Sequence, residues 1–367
     1  MPLPFHLKSE LDVFPVYQPG RPIEEVAREL GLPFDRIDKL ASNENPLGPS
    51  PKALEAVREA AANLHLYPDG ASFYLRNRLA EKLLVEPENL IFGNGSNEVL
   101  ELLGHALLRP GDEIIISQYC FVVYPIVGRL FGADVTSVPA KDFGHDLPAM
   151  LAAVTDRTRI VFVANPNNPT GTLASREDVI ELVSNLPEHV LLVMDEAYIE
   201  YLDDAVDLTA LVRRGDHPNL FLTRTFSKIH GLAGLRIGYG VGHPEFVAAL
   251  EKVREPFNTN SLAQAGALAA LDDEEHVART RTINADGIAY FEAQLRRMRV
   301  DYVPSKANFI LVRVGDSNDI YGKLQQRGVI TRPVAGYGLP EWLRISVGTP
   351  AQNERCIAAL QEAMSGT

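Results

Sequence analysis

Val190-Leu191-Leu192-Val193-Met194-Asp195-Glu196-Ala197-Tyr198 places five apolar residues directly ahead of a carboxylate. A short, continuous apolar run of this kind reads as a strand buried on both faces. Three other runs read the same way: Leu90-Ile91-Phe92, Glu113-Ile114-Ile115-Ile116 and Arg159-Ile160-Val161-Phe162-Val163. Amphipathic segments near 97–108, 175–185 and 243–254 read as the accompanying helices. Such alternation predicts an α/β fold whose central sheet is mainly parallel and flanked by helices.

On the N-terminal side, residues 1–40 hold prolines and glycines around one amphipathic stretch, Ile23 to Leu30, and read as an arm. Ser42 to Pro49 is turn-rich, and Pro51 can open a helix carrying Ala53 to Ala62. Beyond Pro256-Phe257-Asn258-Thr259-Asn260-Ser261 the pattern changes. Helical stretches at 262–272 and 275–298 precede short strands at 308–313 and 343–347, and a last helix covers 350–364. The expected organisation is therefore an arm (1–40), a large domain (41–255) and a smaller α+β domain (256–367).

Composition narrows the function classes. The 367 residues, 46% apolar and 23% charged, are those of a globular protein large enough for two domains. A net charge of -13 argues against a nucleic-acid partner. No apolar run approaches the roughly 18 residues of a membrane span, and the N-terminus lacks the pattern of a secretory signal. Cys120 and Cys356 are the only cysteines, too few for a disulfide framework or a cysteine-rich zinc site. A reducing cytoplasm is the expected compartment.

The chemistry lies at the predicted strand ends, where open α/β sheets bind ligands. Gly93-Asn94-Gly95-Ser96-Asn97 precedes a helix, so its amides can hold a phosphate or form an ordinary tight turn. Asp195, partly desolvated at a strand end, requires a proton-donating or cationic partner. The pyridine nitrogen of pyridoxal 5'-phosphate (PLP) is one; a helix cap or a metal-ligand role are the alternatives, and no ligand cluster favours a metal. Tyr198 and the Asn168 amide could reach the same ring's phenolic oxygen. Thr225-Phe226-Ser227-Lys228 sets a lysine among small hydroxyls, with Arg236 following in Gly234-Leu235-Arg236-Ile237-Gly238. Desolvation and nearby positive charge would make Lys228 nucleophilic near neutral pH, and the freed amine could then move a proton. Arg236 and Thr225 would clamp a phosphate. Arg344, between Leu343 and Ile345, and Arg332, after Gly328-Val329-Ile330-Thr331, would meet either a substrate anion or an internal carboxylate.

Asn168-Pro169-Thr170-Gly171, Asp195-Glu196-Ala197-Tyr198, Ser227-Lys228 and Gly234-Leu235-Arg236-Ile237-Gly238 occur in one order and spacing. In these the chain resembles the PLP-dependent aminotransferases of fold type I, over nearly its whole length. The resemblance implies that Lys228 takes the cofactor as a Schiff base, Asp195 faces the ring nitrogen, and Tyr198 and Asn168 face the phenolic oxygen. It implies that Phe121 stacks on the ring, and that Gly95, Ser96, Asn97, Thr225, Ser227 and Arg236 take the phosphate. Tyr67 resembles the tyrosine that reaches the neighbouring subunit's cofactor, implying a homodimer with shared active sites.

Within that family, Ala41-Ser42-Asn43-Glu44-Asn45-Pro46-Leu47-Gly48, Pro256 to Ser261, and Arg332-Pro333-Val334-Ala335-Gly336-Tyr337-Gly338-Leu339-Pro340 are similar to the histidinol-phosphate aminotransferases. Substrate contacts are then implied for Tyr17, Asn45, Arg332 and Arg344. The implied reaction moves the amino group of L-histidinol phosphate to 2-oxoglutarate. Rival expectations are an aromatic amino-acid aminotransferase, a PLP-dependent decarboxylase of an amino-acid phosphate, and a non-enzymatic ligand-binding module.

Overall fold

The structure, a computed structural model, describes residues 20–365. A seven-stranded sheet forms its centre. In spatial order the strands are Leu90–Gly93, Gly238–Val241, Leu220–Thr225, Leu191–Asp195, Thr158–Ala164, Glu113–Ser117 and Asp134–Val138. All are parallel except Gly238–Val241, which runs antiparallel to both neighbours.

Strand periodicity explains why the apolar runs are continuous. Val161, Val163, Leu192, Met194, Leu220 and Leu222 face one apolar layer, with the helices Phe73–Leu83, Arg176–Asn185 and Ser261–Leu271. Ile160, Phe162, Leu191, Val193 and Phe221 face the other, with the helices Gly95–Leu107, Val123–Leu130 and Pro244–Leu250. Both faces are covered by apolar layers, so the middle of each inner strand is apolar on both sides. The sheet bears out the expected α/β architecture and adds three strands that the apolar runs did not disclose. Asp134–Val138 is a half-exposed edge, Leu220–Thr225 ends in polar residues, and Gly238–Val241 is glycine-rich. Glycine there follows from close packing: a Cβ on Gly240 would lie 2.4 Å from the Phe221 ring.

The helix expected over 243–254 stops at Leu250. Lys252 and Val253 donate to the carbonyls three residues back, and Arg254 turns its guanidinium to Glu251, Asn258 and the Gly70 carbonyl. Farther along, Tyr302–Val303, Phe309–Arg313, Leu339–Ser346 and Arg332–Val334 form an antiparallel sheet. It packs on the helices Glu274–Met298, Ser317–Gln326 and Pro350–Ser365 around a separate apolar cluster. Asp38–Lys39, after the helix Ile23–Leu30, pairs with Val329–Ile330 and ties the N-terminal segment to this second layer. None of the described helices is long and apolar enough to cross a membrane.

Candidate active site

The parallel strands end on one edge, and one cavity of roughly 260 Å³ opens there. Ala164, Asp195 and Thr225, the last residues of three adjacent strands, line it, as do Gly95, Ser96, Asn97, Phe121, Asn168, Tyr198, Ser227, Lys228, Arg236, Arg332 and Arg344. Residues from Gly95 to Arg236 meet because the parallel topology stacks the strands' C-terminal ends, and Arg332 and Arg344 reach the cavity from the second, antiparallel sheet.

One end of the cavity is a cup of donors. The helix Gly95–Leu107 starts here with amides that no helical carbonyl can reach. Thr225 Oγ1 donates to Ser227 Oγ at 2.9 Å and accepts from the Ser227 amide at 3.1 Å, which fixes both hydroxyls at the rim. Arg236 lies against the helix start and donates to the carbonyls of Ala233 (3.2 Å) and Asn94 (3.5 Å). Its φ is +55°, a left-handed conformation that costs a non-glycine residue on the order of 1–2 kcal/mol. Two glycines make the approach feasible. A Cβ on Gly95 (φ +74°) would lie 2.6 Å from Arg236 Nη2, and one on Gly238 would lie 2.3 Å from the Ser96 amide nitrogen.

At the other end lies Asp195. It is 5% exposed, and its Oδ2 accepts a hydrogen bond from the Tyr124 hydroxyl at 2.7 Å. Burial pushes its carboxyl above the usual carboxylate range, against the opposing pull of that hydrogen bond and of Lys228. Tyr198 accepts from the Asn43 side-chain amide at 2.9 Å. Its hydroxyl is pushed up to about 12, chiefly by burial, so it stays a neutral donor.

Between the two ends sits Lys228, whose ammonium donates to the Ser42 carbonyl at 3.3 Å. Burial lowers its amine from 10.5 to about 8, with further lowering from Arg344 and then Arg236, and Glu44 opposing. Arg344 thus outweighs Arg236, the arginine that the sequence suggested for this effect. Arg344 is 7% exposed and donates to Asn168 Oδ1 at 2.5 Å and to the Ala41 carbonyl at 2.7 Å. Since Asn168 uses its oxygen on Arg344, its NH₂ group is the part left to donate.

Arg332 sits directly opposite Arg344 in the antiparallel ladder, and both line the cavity. Like charges at directly opposed positions repel, so the pair forms a site suited to an anion.

Three expected site residues remain: Asn45, Tyr67 and Tyr17. Asn45 does not line the cavity: its amide donates to the Ile229 carbonyl (2.8 Å) and Thr280 Oγ1 (3.1 Å), and its Oδ1 accepts from the Leu47 amide. With every polar atom occupied, it ties the linker to the neighbouring helix; Asn43 faces the cavity instead. Tyr67 is 83% exposed, stacks on Phe257 at 4.9 Å and is not among the residues lining this chain's own cavity. Tyr17 lies outside the described residues. Tyr124 escaped the sequence reading, because nothing local marks a tyrosine whose partner is 71 residues away.

Residues 36–360 match the family model for aminotransferase class I and II, and the chain belongs to that family. Histidinol-phosphate aminotransferase from Akkermansia muciniphila is 51% identical over 349 residues, 95% of this chain and 96% of that one. Histidinol-phosphate aminotransferase 1 from Thiobacillus denitrificans is 51% identical over 351 residues, covering 95% and 91%. Among solved structures, histidinol-phosphate aminotransferase from Sinorhizobium meliloti in complex with pyridoxal-5'-phosphate superposes with a TM-score of 0.89 at 29% identity, over 98% of each chain. Within its family the chain falls among the histidinol-phosphate aminotransferases.

Proposed function

We propose that the protein transfers the amino group of L-histidinol phosphate to 2-oxoglutarate, using PLP, in histidine biosynthesis. The observation that carries this reading is Arg332 opposite Arg344 on the wall of the cavity that holds Lys228 and Asp195. A donor bearing a phosphate and an acceptor bearing a second carboxylate both offer an anion to that pair.

The donor set fits PLP feature by feature. The Gly95–Asn97 amides, Thr225, Ser227 and Arg236 suit its phosphate, in a cup whose wall a Cβ on Gly95 or Gly238 would push apart. Asp195 suits the ring nitrogen, Tyr198 and Asn168 the phenolic oxygen, Phe121 the ring face and Lys228 the aldehyde. When bound, the cofactor supplies a carbonyl that takes up the amino group and a ring that draws off electron density from the donor's α-carbon. Lys228 is the base that moves a proton between that carbon and the cofactor's C4′, and an amine near 8 suits both directions of transfer. Asp195 keeps a proton on the ring nitrogen. Arg332 and Arg344 orient the substrate anion so that the reacting carbon faces Lys228.

The division into an arm (1–40), a large domain (41–255) and a small domain (256–367) puts the arginine pair on the small domain and the cup on the large one, but the helix Ser261–Leu271 packs on the central sheet and so goes with the large domain. A homodimer extends the reading. Leu64, Leu66, Tyr67, Phe73 and Tyr74 are exposed apolar or aromatic residues close in sequence, a composition suited to an interface. Sedimentation equilibrium is expected to return twice the 40.4 kDa chain mass, and a monomer at micromolar concentration would refute the shared-site arrangement. Two free, buried cysteines suit a reducing cytoplasm.

The relatives' names leave the aromatic amino-acid and decarboxylase rivals unfavoured. Comparing histidinol phosphate, phenylalanine and tyrosine as amino donors tests the substrate directly. Histidinol phosphate is expected to lead in kcat/KM by at least about 100-fold, the scale of a charged contact of roughly 3 kcal/mol. Equal values for the three donors would remove the arginine pair's assigned role.

A further inference from the structure

We propose that Tyr124 is a positioning residue of the reaction: its hydroxyl orients the Asp195 carboxylate and leaves the shared proton on the cofactor's ring nitrogen. The inference rests on the reading of Asp195 as the ring nitrogen's partner. Tyr124 is absent from the cavity lining, so its hydroxyl acts through Asp195.

Its placement is tightly determined. Tyr124 is 0% exposed, near the start of the helix Val123–Leu130. Its ring stacks on Phe162 at 4.8 Å with an interplanar angle of 4°, and meets the edge of Phe121 at 5.8 Å and 82°. Phe162 belongs to the strand beside Asp195's own, so the packing aims the hydroxyl along the sheet at Oδ2, 2.7 Å away. The other oxygen, Oδ1, accepts the Ala197 amide at 3.3 Å. A carboxylate torsion is intrinsically broad, and here Tyr124 holds Oδ2 while the Ala197 amide holds Oδ1.

The direction of donation has a chemical consequence. An ionised carboxylate only accepts, so the phenol must donate. Burial, reinforced by the charge of Asp195, pushes the Tyr124 hydroxyl well above its ordinary range, which keeps the donor protonated. Among the contacts that oppose burial at Asp195, the Tyr124 hydrogen bond comes first. Without it the carboxylate becomes the stronger base, and a proton shared with a pyridine nitrogen moves toward oxygen. The ring then loses its positive charge and withdraws electrons less well.

The test uses holoenzyme reconstituted with ¹⁵N-labelled PLP, with the ring-nitrogen NMR signal as readout. Wild type is expected at the pyridinium position. Tyr124→Phe, which deletes one oxygen, is expected to shift the signal toward neutral pyridine. Its kcat should fall about tenfold, with KM for the donor changed less than about twofold, the pattern of a lost transition-state contribution. Phe162→Leu disturbs the same packing but keeps the hydroxyl, and is expected to leave the signal in place. An unmoved signal in Tyr124→Phe, or an equal shift in Phe162→Leu, overturns the proposal. A wild-type sample that binds no cofactor would overturn the reading of the whole site.

Discussion

Arg344→Ala is expected to lower kcat/KM for both histidinol phosphate and 2-oxoglutarate by roughly 10²- to 10³-fold, the scale of losing one partner from a buried, hydrogen-bonded charge contact. Three consequences combine. The substrate anion loses a guanidinium, Asn168 loses the donor that turns its NH₂ group toward the cavity, and the Ala41 carbonyl loses its donor. Arg344 is also the largest charge lowering the Lys228 amine, so the pH at which that amine becomes neutral should rise in the variant. Arg344→Lys should not rescue, since a point charge cannot reach Asn168, Ala41 and a substrate anion together. Steady-state kinetics with each substrate, with a pH profile, checks all of this. An unchanged kcat/KM would take Arg344 out of the site.

Much of this was legible in the sequence, for identifiable reasons. Strands covered on both faces carry continuous apolar runs, so 160–163 and 190–194 announced themselves and located Asp195 at a strand end. Lys228 and Arg236 lie eight residues apart around one turn, and local spacing was enough to pair them. What depended on distant packing was not legible. Glycines in Gly238–Val241 carry no strand signal, because they are there for the Phe221 ring and the Ser96 amide. Asn43 and Asn45 are equivalent on paper, and backbone geometry (Asn43 has φ +54°) decides which one faces the cavity. That Arg332 lies opposite Arg344 depends on ladder register, including an irregularity between Pro333 and Val334. Tyr124 required the sheet itself to bring it to Asp195.

The chemistry depends on Lys228, because no other described residue places an amine between the phosphate cup and Asp195. Its lowered amine sets the sign of the pH dependence: the neutral, nucleophilic fraction grows as pH rises through about 8, rather than near 10.5. The rate at which apo-protein takes up PLP should therefore increase with pH across that region. Lys228→Ala removes both the anchoring amine and the base, and the loss of general-base catalysis alone is worth on the order of 10²- to 10⁴-fold. The decisive measurement is the visible absorption of Lys228→Ala mixed with PLP, recorded beside turnover of histidinol phosphate with 2-oxoglutarate. The lysine-bound cofactor band of wild type is expected to disappear, and turnover to fall by at least about 10³-fold. A variant that keeps both the band and wild-type turnover would contradict the role of Lys228.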